Sequence, residues 1–223
     1  MAVQLGLALP TRTAQGRDDF LVAPSNAMAV ALIENWHDWA GRKLVLTGPA
    51  GSGKTHLTHV WAANSGAQII AAADLTEDVV PALAASHVAI EDVPEIAGNA
   101  EAQNALFHLH NLTLAEGHSL LLTGTGPVAH WPLSLPDLAS RMQGTTEATL
   151  DAPDDALLFA VLVKLLADRQ LMPKPDVIPY VLLRMERSFA AARDLVAALD
   201  EASLAQKRPV TRQLAGRVLD NLG

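Results

Sequence analysis

The stretch KLVLTGPAGSGKTH, residues 43–56, decides the fold. It begins as a short β-rich run, turns through glycines and continues into a helical pattern. The turn fits G-x-x-x-x-G-K-T from Gly48 to Thr55. Glycines let backbone amides point at phosphate oxygens, and the helix N-terminus adds a partial positive charge there. Because strand, turn and helix stand in the order this chemistry needs, the sequence predicts a nucleoside-phosphate site.

In such a turn, Lys54 reaches the β- and γ-phosphates and the Thr55 hydroxyl ligates Mg²⁺. The candidate nucleotide contacts are Gly48, Pro49, Ala50, Gly51, Ser52, Gly53, Lys54, Thr55 and His56.

Two acids, Glu91 and Asp92, follow the apolar run of HVAIEDV and are the candidates for the second half of the site. We call the turn from Gly48 to Thr55 the P-loop, and the strand before it the P-loop strand. On a strand adjacent to the P-loop strand, the first acid would hold the Mg²⁺ water shell and the second would orient water. The first position is usually Asp, so Glu91 predicts weakened metal affinity or turnover. The alternative is a pair of solvated acids at a strand end.

A further strand, SLLLTGTG, ends in hydroxyls that would lie near the γ-phosphate. The sequence does not choose between Thr123 and Thr125, and a plain strand terminus is the alternative. The chain has no N-K-x-D guanine-reading motif, which favours adenine as the base.

Strands alternate with helical patterns up to residue 152, and only helical patterns follow. This order predicts an α/β domain with a five-stranded parallel sheet flanked by helices, over residues 19–152, and a small all-α domain over 153–223. The first helix follows FLVAPSN, where Ser25 or Asn26 would cap its free amides.

The N-terminal residues QLGLALP alternate leucine with small residues. A signal peptide is excluded because no Lys or Arg precedes the stretch and Pro10 interrupts it. A buried strand remains possible. Residues 11–19 are polar and small and are typical of a linker, so residues 1–18 are predicted to be a peptide with a tether.

Composition excludes several classes of protein. The 223 residues include 50% hydrophobic and 18% charged side chains, and no cysteine. Disulfides, cysteine metal sites and thiol nucleophiles are therefore excluded, and the lack of an apolar run of membrane-spanning length predicts a cytoplasmic protein. A net charge of −8 argues against direct DNA binding, even with a basic group on the C-terminal segment, Lys207, Arg208, Arg212 and Arg217.

Two arginines stand out, Arg141 in LPDLASRM and Arg193 in ERSFAAARDL. Guanidinium groups stabilise charge on a transferring phosphoryl group, from the same chain or from a neighbour. A surface arginine on a helix is the alternative for each of them.

Taken together, the P-loop, the acid-tipped strand, LPDLASR, FLVAPSN and the all-α tail resemble the AAA+ ATPases of the DnaA clade, and within it the Hda family most. The resemblance covers the chain from Gln4 to the C-terminal helices. It implies an AAA+ core followed by a helical lid, with FLVAPSN forming a wall of the adenine pocket. It also implies that Arg141 is an arginine finger acting in trans and that Arg193 touches the bound nucleotide.

Members of the Hda family begin with a Q-L-x-L-x-L peptide that docks on the DNA-polymerase sliding clamp. Gln4, Leu5, Leu7 and Leu9 match that peptide, with Gly6 and Ala8 between them. The implied function is a nucleotide-bound adaptor, monomeric or self-associating as a dimer, with ADP or ATP and Mg²⁺ as cofactors. It would reach DNA only through the clamp, stimulate hydrolysis of DnaA-bound ATP and so suppress initiation of replication. The alternative is a P-loop enzyme acting on its own ATP, either helicase-loader-like or a small kinase.

Overall fold

The structure is a computed structural model that describes residues 21–206 and 209–222. Five parallel strands form one sheet in the order β2-β3-β4-β1-β5, which confirms the predicted fold class. The strands are β1 (Lys43–Thr47), β2 (Gln68–Ala71), β3 (Val88–Glu91), β4 (Leu120–Gly124) and β5 (Glu147–Thr149).

The described helices alternate with these strands and then follow one another. They are α1 (Ala27–Glu34), α2 (Lys54–Ser65), α3 (Val80–Ala84), α4 (Ala100–Ala115), α5 (Pro136–Gln143), α6 (Asp155–Asp168), α7 (Val177–Leu182), α8 (Phe189–Gln206) and α9 (Arg212–Leu222). Helix α2 ends where the sequence predicts, at Gly66, whose backbone has the left-handed conformation that favours glycine. Helix α3 was not predicted, since its five residues are too few to show a period.

Both faces of the sheet are covered, and successive strand residues alternate between them. On β1, Val45 packs into the cluster beneath α3, α4 and α5, whereas Leu44 and Leu46 pack beneath α1 and α2. The three central strands, β1, β3 and β4, accordingly consist mostly of buried apolar residues, as expected for a parallel sheet covered on both sides.

The helices after residue 155 have a core of their own. Leu158 and Leu162 of α6 pack with Leu195 and Leu199 of α8 in a third apolar cluster that contains no residue of the sheet. We call helices α6 to α9 the lid. Within the described residues, no helix is long and apolar enough to cross a membrane.

The predicted helix cap is correct in position and wrong in its bonding. Asn26 precedes α1, but its side chain makes no hydrogen bond to the amides of the first turn. Its Oδ1 instead accepts from the Ala23 amide at 2.8 Å and its Nδ2 donates to the Leu21 carbonyl at 2.9 Å. Asn26, which is 3% exposed, thus fixes the segment before the helix rather than the helix itself.

A candidate nucleotide-binding site

The P-loop is a tight turn whose glycines have unusual backbone conformations and little free space around them. Gly48, Gly51 and Gly53 have φ values of +154°, +69° and +101°, in the region that favours glycine. A Cβ on Gly48 would lie 2.5 Å from the Leu150 carbonyl oxygen and 2.7 Å from Ser52 Oγ. The loop therefore requires glycine at this position for space as well as for backbone conformation.

Lys54, the first residue of α2, is buried within this loop and 7% exposed. Its Nζ donates to the carbonyl oxygens of Gly48 and Pro49 at 2.8 and 2.9 Å. Burial lowers its pKa, and the carboxylates of Asp92 and Glu91 partly offset that effect. The ammonium group is thus held in the loop by two carbonyl oxygens. Phosphate oxygens are hydrogen-bond acceptors of the same kind.

Thr55 and Glu91 are the two predicted Mg²⁺ ligands. Glu91 accepts a hydrogen bond from the Thr55 side chain, so the two side chains are in contact. The Thr123 Oγ1 accepts from the Asp92 amide at 3.1 Å, and Thr123 is fully buried whereas Thr125 is exposed. The structure therefore brings Thr123, rather than Thr125, to the acids.

The acid-tipped strand is not adjacent to the P-loop strand, so that expectation is wrong. Strand β4 lies between β1 and β3 and contributes Thr123 to the gap. Neighbouring strands are about 4.8 Å apart, so Glu91 starts about 10 Å from the β1 axis. It still reaches Thr55, since α2 carries that residue above the sheet's carboxyl edge.

The site contains polar atoms without partners. Glu91 Oε1 and Ser52 Oγ are buried and accept or donate no hydrogen bond among the described residues. Burial raises the pKa of Glu91 above its ordinary value, with Asp92 adding to the rise and the Thr55 hydrogen bond opposing it. A phosphate with Mg²⁺ would supply partners for these atoms, so the residues present fit a magnesium nucleotide.

The lid contacts the P-loop directly. The Phe189 amide, at the start of α8, donates to the Gly51 carbonyl at 2.9 Å. A Cβ on Gly51 would lie 2.7 Å from Ser188 Cβ and 3.4 Å from Ala190 Cβ. The lid therefore packs against the same loop that is predicted to hold the nucleotide phosphates.

Replacing Gly51 by alanine should lower the free energy of unfolding by about 2–4 kcal/mol, from left-handed strain plus the clash with Ser188. Gly66→Ala is the matched control: its φ is +74° and nothing lies within 4 Å of the added Cβ. It should cost about 1 kcal/mol. Urea denaturation measures both, and equal losses would contradict the P-loop–lid contact.

Arg193 lies one turn beyond the contact on α8. Its side chain is exposed and has no hydrogen bond or ion pair among the described residues. The helix face against the P-loop belongs to Ser188 and Ala190, three or more residues earlier. A role for Arg193 at the nucleotide remains a prediction.

Arg141 lies at the opposite edge of the sheet from the P-loop. Its carbonyl oxygen is 3.4 Å from Nζ of Lys43, the first residue of β1, whereas the P-loop follows the last. Its guanidinium is exposed and stacks on α4, with Cζ 4.9 Å from the centroid of the Phe107 ring.

The segment before α1 adjoins the P-loop. The Asp151 amide donates to the Ser25 carbonyl at 3.1 Å, and Leu150 contacts Gly48. Ser25 Oγ is buried and lacks a hydrogen-bond partner in the described residues. Ser25, in the stretch FLVAPSN that is expected to wall the adenine pocket, is thus connected to the P-loop through Asp151 and Leu150, whereas Phe20 lies outside the described residues. Gln4, Leu5, Leu7 and Leu9 lie outside the described residues.

Sequence reasoning missed three contributors: Ser188 against Gly51, and Lys43 with His110 beneath Arg141. The motif ERSFAAARDL drew attention to its arginine rather than to Ser188. Lys43 gives only a weak signal in the sequence, as a cation followed by three apolar strand residues.

Comparison with known proteins agrees with this geometry. No protein-family model matches the chain. The chromosomal replication initiator protein DnaA of Thermomicrobium roseum is 27% identical over 232 aligned positions, which cover 91% of this chain and 48% of that protein. The chain thus spans about half the length of this curated relative.

Two solved structures show the same fold. Domain III of DnaA from Thermotoga maritima superposes with a TM-score of 0.82 at 19% identity, over 96% of this chain and 98% of that one. AMPPCP-bound DnaA from Aquifex aeolicus gives 0.68 at 20% identity, over 85% and 68%.

Sheet order, P-loop and lid define a P-loop protein of the AAA+ fold. More particularly, the fold is that of DnaA domain III, and the sequence is similar to DnaA.

Proposed function

We propose that this chain is an adenine-nucleotide-binding AAA+ adaptor that acts on DnaA. It binds the DNA-polymerase sliding clamp through residues 4–9 and presents Arg141 to the ATP held by a DnaA protomer. Hydrolysis of that ATP would inactivate DnaA and suppress initiation of replication. The observation that carries the proposal is the position of Arg141.

Arg141 is too far from its own P-loop to serve it. Strand β1 separates the two and spans about 16 Å over five residues. Helix α5 also ends before β5 begins at Glu147, which pairs with Val45, the middle residue of β1. A guanidinium exposed at this edge supports a role on a neighbouring molecule's phosphate.

The surroundings of Arg141 suit a docked partner. Phe107, beneath the guanidinium, also lines a groove of about 520 Å³ between α3 and α4, with Val80, Pro81 and Leu112. This groove lies away from the P-loop. Apolar surface beside an exposed cation supports a protein contact that brings Arg141 to a phosphate.

The chain's own site is proposed to hold ADP or ATP with Mg²⁺. A bound magnesium nucleotide supplies the electrophilic phosphate. Lys54 would bind its phosphate oxygens, Thr55 and Glu91 would hold the metal, and Asp92 would orient water near Thr123. The raised pKa of Glu91 and its length support weak intrinsic turnover.

The clamp contact is tested by Gln4→Ala, Leu5→Ala in the full chain. We expect the wild type to bind purified sliding clamp with a micromolar or tighter Kd and the double variant to bind at least about tenfold more weakly, because anchor residues dominate short-peptide affinity. Surface plasmon resonance against immobilised clamp measures both proteins.

Thr13→Ala, Gln15→Ala is the matched control, since it removes a hydroxyl and a glutamine from the same segment outside the pattern. It should bind as the wild type does. Equal binding by all three proteins, or by none, would refute the peptide contact and favour an ATPase acting on its own ATP.

A further inference from the structure

The backbone carbonyl of Arg141, in the last turn of α5, accepts from two side chains. The Arg141 carbonyl oxygen accepts from Thr145 Oγ1 at 2.7 Å and from Lys43 Nζ at 3.4 Å. Carbonyls in the last turn of a helix have no partner within the helix, and a cation there is favoured by the helix dipole. Lys43 thus reaches from the sheet to the backbone of Arg141 itself.

Lys43 is fixed from its other side by His110 of α4. The Lys43 Nζ and His110 Nε2 are 3.3 Å apart, and His110 Nδ1 lies 3.4 Å from Asn111 Oδ1. Burial, and then the charge of Lys43, lower the pKa of His110 to about 4, so the imidazole is neutral. Its Nε2 then accepts from the ammonium and its Nδ1 donates to Asn111.

The same face of α4 also supports the guanidinium. Phe107 and His110 are three residues apart and therefore lie on one side of the helix. Phe107 lies under the Arg141 guanidinium, while His110 acts through Lys43 on the Arg141 backbone. Burial lowers the pKa of Lys43, and the charge of Arg141 lowers it further. The two cations repel, which disfavours a guanidinium folded inward over the ammonium.

We propose that Lys43 is a positioning residue for Arg141: anchored by His110, it fixes the last turn of α5 so that the guanidinium projects over Phe107 toward a partner's phosphate. This role rests on the proposed function of Arg141. It assigns a role to a partly buried cation at the amino end of β1, between α4 and α5.

The position of the guanidinium can be measured without any partner. In the full chain, the Arg141 side-chain Nε–Hε resonance is assigned by its loss in Arg141→Ala. The Phe107 ring current shifts it, and Phe107→Leu gives its position without the ring. In Lys43→Met we expect the Arg141 resonance to move at least half of the way from its wild-type chemical shift to its chemical shift in Phe107→Leu. Lys43→Arg, which keeps a donor, should restore it, and Lys174→Met, an exposed control, should leave it unchanged.

His110→Leu provides a second variant, because it keeps Lys43 and removes the atom that anchors it. We expect a smaller shift in the same direction. Circular dichroism and the thermal midpoint identify any variant that fails to fold. An Arg141 resonance unchanged in both folded variants would overturn the proposal.

Kinetics separate this proposal from the function on which it rests. In single-turnover hydrolysis of DnaA-bound ATP on clamp-loaded DNA, Lys43→Met should lower the rate at saturating adaptor by about 10- to 100-fold. The half-saturating concentration should not change, and Lys43→Arg should recover most of the rate. If the wild type itself gives no stimulation, the proposed function fails, while the resonance still decides the positioning role.

Discussion

Replacing Arg141 by alanine should lower the rate of hydrolysis of partner-bound ATP by about 10³-fold or more, which is the usual value of an arginine finger in trans. Binding of clamp and of nucleotide should not change, because Arg141 lies at the edge of the sheet opposite the P-loop and outside residues 4–9. Hydrolysis of radiolabelled ATP prebound to DnaA, with excess adaptor and clamp on DNA, measures the rate.

Arg184→Ala is the matched control. Arg184 is also exposed and also stacks on an aromatic ring, with Cζ 4.0 Å from the Tyr180 centroid, but it lies in the lid. Removing it should leave the rate within about twofold of the wild type. Full stimulation by Arg141→Ala would contradict the adaptor mechanism, and an equal loss in both variants would show that the effect is not specific to Arg141.

Local sequence patterns predict much of the phosphate site. The turn from Gly48 to Thr55, the helix that follows it and the acids after Ile90 are each fixed by a few consecutive residues. Local pattern also predicts five strands and their direction, since a helix follows nearly every strand.

Sheet order and lid contacts lay beyond prediction because they depend on distant residues. No short stretch of the sequence indicates that β4 lies between β1 and β3. This strand order brings Thr123 beside Asp92. The contact of Gly51 with Ser188 joins residues 137 positions apart. Helix α8 contains one arginine that the sequence marks, yet the residue against the P-loop is Ala190, one turn earlier, and Arg193 is exposed.

The residues beneath Arg141 could not be predicted from the sequence for the same reason. Lys43, His110 and Arg141 come from a strand and two helices, and no spacing along the chain connects them. His110 follows His108 by two residues, which predicts opposite sides of the helix: His110 is 2% exposed and His108 is exposed. Its partner was beyond prediction, because β1 and α4 meet only in the folded sheet.

Replacing Lys54 by methionine should weaken nucleotide binding by about 30-fold to several thousand-fold. Removing one member of a buried charge pair costs about 2–5 kcal/mol, and each 1.4 kcal/mol is tenfold in affinity. Lys54 is 7% exposed and is the cation held within the loop by the Gly48 and Pro49 carbonyls. Methionine keeps the aliphatic stem, so packing changes little while the phosphates lose their charge partner.

Titration of fluorescent ADP and ATP analogues against the full chain measures this effect, with Lys174→Met as the exposed control. Lys54 acts on the nucleotide of its own chain, so its loss should leave Arg141 and the clamp peptide intact. Removing Lys54 relieves a desolvation cost but leaves the Gly48 and Pro49 carbonyls without this donor, so circular dichroism and the thermal midpoint establish that Lys54→Met is folded. An unchanged affinity in a folded Lys54→Met protein would mean that the turn from Gly48 to Thr55 does not hold phosphates, and the nucleotide part of the proposal would fail independently of the adaptor part.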